Sequence, residues 1–156
     1  AFTVLTYLAM TPLAVRAAAD MGVDAEVIDL RSLDRAGIDW EAIEASVRKT
    51  HNVVVLEQGP LTASYGAMLV DEVQRRCFDD LDQPVARIHG GESSPSVSKV
   101  LERSAFVGLD EIKAGYARMM ADQGRPVAVS PPGHPKGECR SVQHEGSTVS
   151  PTKAVQ

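Results

Sequence analysis

Short apolar runs alternate with longer amphipathic stretches along most of the chain. Runs rich in β-branched residues, bounded by polar or turn residues, predict strands, and stretches with apolar residues at helical spacing predict helices between them. The predicted strands are Phe2–Leu8, Ala25–Leu30, Asn52–Glu57 and Pro84–Ile88, and helices are predicted from Thr11 to Met21, from Asp39 onward, from Tyr65 to Cys77, after Ser94 and from Leu109 to Met120. This order predicts an α/β fold of three layers, α/β/α, around a doubly wound and mainly parallel sheet.

Several residues mark where these elements begin and end. Thr11 followed by Pro12 predicts an N-cap and a first helical residue, and Gly22 predicts the end of the same helix. Asp39 predicts the N-cap of the second helix. The third strand is apolar at every position, which is typical of a strand covered on both faces.

The stretch HGGESSPSVSK, residues 89–99, connects the fourth strand to the next helix. Ser94–Pro95 repeats the cap-then-proline signal, and Val97, Val100 and Leu101 are predicted to form the apolar face of a short helix. The carboxyl edge of a parallel sheet can hold ligands. Every polar residue in this stretch also has a local turn or capping role, so a structural connection is the favoured interpretation and a ligand site the alternative.

The last predicted helix carries an apolar face, which comprises Leu109, Ile112, Tyr116, Met119 and Met120. From about Arg125 the chain becomes rich in Pro, Gly and Ser, a composition that cannot bury a core. We therefore predict one α/β domain at 1–124 and a disordered tail at 125–156. His134, Cys139 and His144 in this tail match no recognised zinc-ligand spacing.

Composition narrows the classes of function. The 156 residues carry a formal net charge of -5, which argues against nucleic acid as a main partner because phosphate binding needs a basic face. No apolar run is long enough to suggest a membrane span, and two cysteines in unrelated contexts indicate reduced thiols and a cytoplasmic protein. Because the chain starts inside a predicted strand, we expect it to be part of a longer protein.

No arrangement of nucleophile, base and orienting group is recognisable in the sequence. Glu57 ends the third strand and could meet the turn after Tyr7 at a switch point of the sheet. It could serve as a ligand group, cap a helix or pair across an interface. His89 follows the fourth strand and is the other candidate, whereas His51 is placed at a helix C-terminus, where a partly cationic ring is favoured.

Several segments, in order, resemble the C-terminal, transketolase-like domain of the β subunit of thiamine-diphosphate-dependent 2-oxo acid dehydrogenases, the E1 component. The matching segments are Val4–Tyr7, Glu26–Leu33, Ser46–Thr50, Val53–Glu57, Phe78–Val85 and Leu101–Glu102. Gln58 and the segment 89–96 depart from the family pattern, which leaves pyruvate, branched-chain 2-oxo acids and acetoin open as substrates. The family's antiparallel edge strand is also missing, so the strand around Val27 is expected at an exposed edge.

The resemblance implies an assembly domain with no catalytic residues of its own. Thiamine diphosphate and Mg would belong to the parent enzyme and not to this chain alone, so the isolated chain is expected to be inactive. The implied partners are the E1 α subunit or portion, a second β chain and the E2 acyltransferase. The candidate interface or docking residues are Glu57, Asp79, Asp80, Asp82 and His89. The plainer interpretation of the three aspartates is a solvated acidic turn with Phe78 and Leu81 tucked beneath it.

Two other classes stay open at this point. One is a stand-alone flavodoxin-like module that binds a small ligand or nucleotide at the carboxyl edge, near Met10, Gln58 and Gly90. The other is a regulatory or degenerate fragment without a site.

Overall fold

The computed structural model describes residues 1–92 and 97–121. Within them the chain forms four strands, five α-helices and one 3₁₀ helix. The strands are β1 (Phe2–Thr6), β2 (Ala25–Asp29), β3 (Val53–Leu56) and β4 (Ala86–Ile88), and the helices are α1 (Met10–Met21), α2 (Trp40–Thr50), α3 (Tyr65–Cys77), the 3₁₀ helix (Phe78–Asp80), α4 (Lys99–Ala105) and α5 (Leu109–Ala121). The alternation of strand and helix agrees with the predicted order.

All pairs of neighbouring strands are parallel, and the strand order is β2-β1-β3-β4. Val4 in the centre of β1 lies opposite Val27 on one side and Val54 on the other. The chain reverses its direction of travel across the sheet between β1 and β3, which makes this the topological switch point. β2 occupies the outer position, so the prediction that the strand around Val27 lies at an edge is confirmed for the residues described.

Alternate side chains of the central strands enter two separate cores. One core packs α1 and α5 against the sheet, and its buried residues include Phe2, Val4, Ala14, Ala17, Val54, Leu56, Ile112 and Tyr116. The other packs α2 and α3 against the opposite face, with Leu5, Ile43, Val47, Val53, Val55, Leu69 and Val73. The four residues of β3 are fully buried. The predicted three-layer fold, with β3 covered on both faces, is confirmed.

The helix boundaries confirm some sequence signals and correct others. Gly22 ends α1 in the left-handed conformation at φ +63°, and Asp39 caps α2 by accepting a 3.0 Å hydrogen bond from the amide of Ala42. The prediction that Thr11 is an N-cap is wrong, because α1 already begins at Met10. The Thr11 hydroxyl instead donates to Asp29 Oδ1 at 3.1 Å, which ties α1 to the end of β2.

The region after β4 differs most from expectation. Ser94 and Pro95 lie outside the described residues, and α4 begins only at Lys99 with Ser98 as its N-cap. Val97, Val100 and Leu101 were predicted to form the apolar face of this helix, but Val97 precedes it and all three side chains are exposed. Helical spacing shows that residues share a face without showing that anything covers it. Met120 is likewise more exposed than the other four residues of the predicted apolar face of α5. The predicted tail at 125–156, with its two histidines and cysteine, also lies outside the described residues.

Candidate functional site

Glu57 follows β3 directly and is fully buried at the carboxyl edge of the sheet. Four donors from three parts of the chain contact its carboxylate. Tyr7 Oη donates at 3.0 Å, Ser64 Oγ at 2.7 Å, the amide of Gly66 at 2.8 Å and Arg87 Nη2 at 2.5 Å. The carboxylate therefore joins the turn after β1, the start of α3 and the end of β4, and we call these five residues the Glu57 cluster.

Arg87 extends this cluster to the loop between β3 and α3. Its guanidinium donates to the carbonyl oxygen of Leu61 at 2.7 Å and to that of Pro60 at 3.3 Å. Farther out, the carboxylate of Glu92 accepts bonds from the amide of Thr62 at 3.1 Å and from its hydroxyl at 2.8 Å. Arg87 in β4 and Glu92 after it thus both tie the β3–α3 loop to this edge of the sheet.

The electrostatics of the cluster keep Glu57 charged and Tyr7 neutral. Burial by itself raises the pKa of the Glu57 carboxyl, but the hydrogen bonds from Ser64, Arg87, Gly66 and Tyr7 outweigh burial, and the pKa lies below its ordinary value. Burial and the nearby Glu57 carboxylate both raise the pKa of Tyr7. The phenol consequently remains a donor, and the cluster acts as a fixed clamp and not as a proton-transfer pair.

The lowered pKa of Glu57 predicts how stability depends on pH. A group whose pKa is depressed by folding contributes stability above its unfolded pKa, ordinarily about 4.3, and loses that contribution as the pH falls through its folded value. We therefore expect the unfolding free energy to fall below about pH 4.3. In the Glu57→Gln variant this part of the pH dependence should be absent.

The measurement is urea unfolding of the wild type and of Glu57→Gln between about pH 3 and 7, a range that includes the titration of carboxyl groups. Glu41→Gln is a suitable control because Glu41 is exposed and lies outside the Glu57 cluster. Identical pH profiles for wild type and Glu57→Gln would contradict the prediction.

An apolar cleft of about 400 Å³ lies beside the Glu57 cluster at the switch point between β1 and β3. Four of its lining residues come from the turn after β1 and the start of α1. One further lining residue follows β3 and one follows α4. Its lining residues are Tyr7, Leu8, Ala9, Met10, Gln58 and Phe106. Gln58 Nε2 is buried without a hydrogen-bond partner among the described residues. The surface of the cleft is therefore almost wholly apolar, and an atom as buried as Gln58 Nε2 is out of reach of a molecule that occupies it.

His89 and Gly90 do not line this cleft. His89 is half-buried, and its Nδ1 is 2.8 Å from the carbonyl oxygen of Gly90. A Cβ on Gly90 would lie 2.5 Å from the carbonyl oxygen of Gln58 and 2.9 Å from that of Ala105. Gly90 therefore allows three backbone segments to approach closely. Of the residues proposed for a ligand module, Met10 and Gln58 come together, whereas Gly90 has a packing role.

The acidic residues Asp79, Asp80 and Asp82 lie at the opposite, amino edge of the sheet. His51, just before β3, fixes this segment: its Nδ1 is 2.8 Å from the carbonyl oxygen of Asp80, and its own carbonyl accepts from the amide of Asp82 at 2.9 Å. Phe78 is 69% exposed, so the expectation that it is tucked beneath the turn is wrong. The five candidate docking residues consequently form two groups on opposite edges of the sheet.

Three contributors to the carboxyl edge were not singled out from the sequence. Arg87 and Ser64 belong to the Glu57 cluster, and Phe106 forms one wall of the cleft. Arg87 carried a usable signal, because a basic residue in a short apolar strand is rarely buried unless it is paired. Ser64 and Phe106 carried no such signal, since residues of their type are common in loops.

Other kinds of site find no support in the part of the chain described. In residues 1–92 and 97–121, no group of three or more His, Cys, Asp or Glu side chains is arranged to hold a metal ion. No helix in those same ranges is long and apolar enough to cross a membrane. Cys77 is buried with a free thiol, and burial raises its pKa.

Comparison with known proteins gives a consistent result. The model of the family described as "Transketolase, C-terminal domain" matches residues 1–112. The chain is 39% identical over 120 residues to the 2-oxoisovalerate dehydrogenase subunit beta of Pseudomonas aeruginosa, which covers 77% of this chain and 33% of that protein. It is 38% identical over 114 residues to the 3-methyl-2-oxobutanoate dehydrogenase subunit beta of Mycobacterium tuberculosis, covering 70% and 32%.

A third relative is the pyruvate dehydrogenase E1 component subunit beta of Porphyra purpurea, 36% identical over 91 residues, with 58% of this chain and 27% of that protein covered. Among solved structures, "Split gene transketolase, inactive beta4 tetramer" superimposes with a TM-score of 0.62 at 21% identity over 78% of this chain and 39% of that one. This likeness shows a shared fold. The chain spans about a third of the length of the relatives it matches.

Proposed function

Because the chain belongs to the transketolase C-terminal domain family, we propose that it is the C-terminal assembly domain of the E1 β chain of a 2-oxo acid dehydrogenase complex. The observation that carries this proposal is 36–39% identity to proteins named as β subunits of such dehydrogenases. The parent enzyme would oxidatively decarboxylate pyruvate or a branched-chain 2-oxo acid, and both kinds of dehydrogenase occur among the relatives.

The domain in this proposal supports assembly and leaves catalysis to the rest of the enzyme. Thiamine diphosphate and Mg belong to the parent, together with the E1 α subunit and a second β chain. The properties of the cleft are consistent with this division, since its six lining residues include no basic side chain for a diphosphate and no carboxylate for Mg. We place the parent enzyme in the cytoplasm, although some relatives are named as mitochondrial.

The amino edge of the sheet is the surface we assign to E2 docking. The segment carries three carboxylates and the exposed ring of Phe78, a combination suited to a basic partner with an apolar contact. Among the described residues, no basic side chain forms an ion pair with Asp79, Asp80 or Asp82. The bonds to His51 hold the segment in one conformation, which limits the entropy that binding has to overcome.

Replacing Asp79, Asp80 and Asp82 with asparagine should slow association with the cognate E2 acyltransferase. Opposite charges steer the encounter of two proteins, so the variant should also show a flatter dependence of the association rate on salt. We expect a reduction of about tenfold or more at low salt, since steering typically changes rates by 10 to 1,000-fold. Surface plasmon resonance over a salt series measures both effects.

A matched control removes the same amount of charge elsewhere on the domain. Asp34→Asn, Glu41→Gln and Asp71→Asn together serve this purpose, because all three side chains are exposed and none belongs to the docking segment. This control should associate at nearly the wild-type rate. Equal slowing in both triple variants would show a general charge effect and remove the three aspartates from the docking surface.

A further inference from the structure

We propose that the docking segment, residues 78–82, forms one half of a surface that carries both signs of charge, and that a cluster of arginines forms the other half. The E2 chain bound there would present an acidic side chain beside its basic face. The identity of this partner rests on the proposed function, whereas its second charge follows from the structure. Two observations carry the proposal: the arginines outnumber the carboxylates that pair with them, and their cluster continues into the docking segment.

The arginine cluster lies on α2, on α3 and in the loop before α2. It comprises two carboxylates and four guanidinium groups, which belong to Glu44, Glu72, Arg35, Arg48, Arg75 and Arg76. Glu72, whose side chain is only 7% exposed, accepts hydrogen bonds from Arg35 Nη2 at 2.6 Å and from Arg75 Nη2 at 2.5 Å. These bonds hold the two guanidinium groups from beneath, and 71% and 63% of their side chains stay exposed. The cluster therefore has a surplus of positive charge in a fixed arrangement.

Arg35 and Arg75 can each still bind an acceptor. A guanidinium group has five N–H donors, and within residues 1–92 and 97–121 the bond to Glu72 is the only hydrogen bond that either side chain donates. Asp34 precedes Arg35 and Asp71 lies one helical turn before Arg75, but neither forms an ion pair in those ranges. Both guanidinium groups are thus available to a carboxylate, which matches their planar geometry.

The arginine cluster and the docking segment are neighbours at the end of α3. Arg75 and Arg76 lie in the last turn of this helix, which ends at Cys77, and the docking segment begins at the next residue. Charges of both groups reach the Cys77 thiol: burial raises its pKa, the carboxylate of Asp80 raises it further, and the guanidinium of Arg76 lowers it. A partner on the docking segment consequently lies beside the arginines.

Trp40 adds an aromatic contact to this surface. Its ring is half-buried, and the guanidinium carbon of Arg76 lies 4.5 Å from the ring centroid. Tryptophan and arginine are enriched among the residues that carry most of the binding energy of protein interfaces. The chain contains one tryptophan, so its fluorescence reports on Trp40 alone.

The two halves of the surface select a partner with both signs of charge. A purely basic partner would meet the arginines as like charges, and a purely acidic one would meet Asp79, Asp80 and Asp82 in the same way. Like charges that face each other exclude wrong partners and fix the orientation of the right one. A nucleic acid is disfavoured on the same grounds, because its closely spaced phosphates would lie against the three aspartates.

The first test uses a mixed peptide of three lysines, two glycines and three glutamates, with blocked ends, and a second peptide with lysines in place of the glutamates. Titration in about 20 mM salt, where screening is weak, is followed by Trp40 fluorescence. The Arg35→Gln/Arg75→Gln variant should bind the mixed peptide about fivefold more weakly than the wild type does. It should bind the lysine peptide at least as tightly, because two like charges have been removed.

Arg16→Gln/Arg118→Gln is the matched control. It removes the same charge from exposed positions on α1 and α5, which cover the other face of the sheet, and it should bind the mixed peptide as the wild type does. Arg76 still pairs with Glu72 in the test variant, and circular dichroism checks its fold. Arg35→Gln alone, a change in a loop, replaces the double variant if that variant is unfolded. Absence of a saturable response to the mixed peptide, or an equal response in the test variant, would overturn the two-signed surface.

Binding of the E2 acyltransferase separates this proposal from the proposed function. In surface plasmon resonance, Arg35→Gln/Arg75→Gln should bind E2 about fivefold more weakly and the control should not. If the aspartate variant binds E2 more slowly but the arginine variant binds it as the wild type does, the two-signed surface is wrong and docking at the acidic segment stands. If E2 does not bind the wild type and binding of the mixed peptide still depends on the arginines, the two-signed surface stands and the assignment of E2 is wrong.

Discussion

The Glu57→Ala variant is expected to lose about 3–5 kcal/mol of unfolding free energy, the usual result of removing one partner of a buried ion pair. Glu57 is fully buried and the Arg87 side chain is only 13% exposed. Without the carboxylate, Arg87 is left without its counter-charge, and Ser64 and the Gly66 amide lose an acceptor. Urea unfolding at neutral pH measures the loss.

Glu72 provides the comparison for this result. Its carboxylate contacts three arginines, Arg35, Arg75 and Arg76, but those side chains are 71%, 63% and 34% exposed and can turn to water when the carboxylate is removed. Glu72→Ala should therefore destabilise the domain far less than Glu57→Ala. If the two variants lose similar amounts of unfolding free energy, the number of ion pairs and not their burial determines the loss. The assignment of Glu57 as a clamp is then wrong.

Gly66→Ala should destabilise the domain by about 1–3 kcal/mol, the range typical of overpacking a buried site. Gly66 lies in the first turn of α3, and a Cβ at this position would overlap Oε1 and Cδ of Glu57. The four donors prevent the carboxylate from moving aside. In a helix without this neighbour the same substitution would be stabilising by about 1 kcal/mol, so the sign of the effect is diagnostic.

A double-variant cycle tests whether Glu57 is the cause. In the Glu57→Ala background the overlap disappears. Adding Gly66→Ala should then leave the unfolding free energy almost unchanged or raise it slightly. Thermal or urea unfolding of the four proteins gives the coupling free energy between the two positions. Additive losses would show that Gly66 is required for a reason unrelated to the carboxylate.

The sequence predicted an element correctly where the local pattern and the tertiary environment favour the same structure. The continuous apolar run at Val53–Leu56 predicted a strand covered on both faces, and Asp39 predicted a helix start, because each signal has one common structural cause. The Thr11 cap failed because the Tyr7–Leu8 turn starts α1 earlier and Asp29 competes for the hydroxyl. A capping signal describes a local preference, and a longer-range partner overrode it.

The candidate site was predictable only in part. The carboxyl edge and the proximity of Glu57 to Tyr7 followed from the strand order, which the pattern of elements indicates. The donors to Glu57 did not, since Ser64 and Arg87 are 7 and 30 residues away and meet it only through the fold. The exposed ring of Phe78 was also missed, because apolar character predicts burial without showing whether a covering element exists.

The position of β2 at the outside of the sheet has a consequence for the behaviour of the domain in concentrated solution. Within residues 1–92 and 97–121 no further strand pairs with its outer backbone amides and carbonyls, and such an edge can template pairing with another chain. Glu26 and Asp29 point to opposite faces of this strand and carry its only charges, with Lys49 and Arg31 as their ionic partners. Charged side chains on an edge strand oppose such pairing, so we expect solubility to fall when these four residues are replaced by neutral ones.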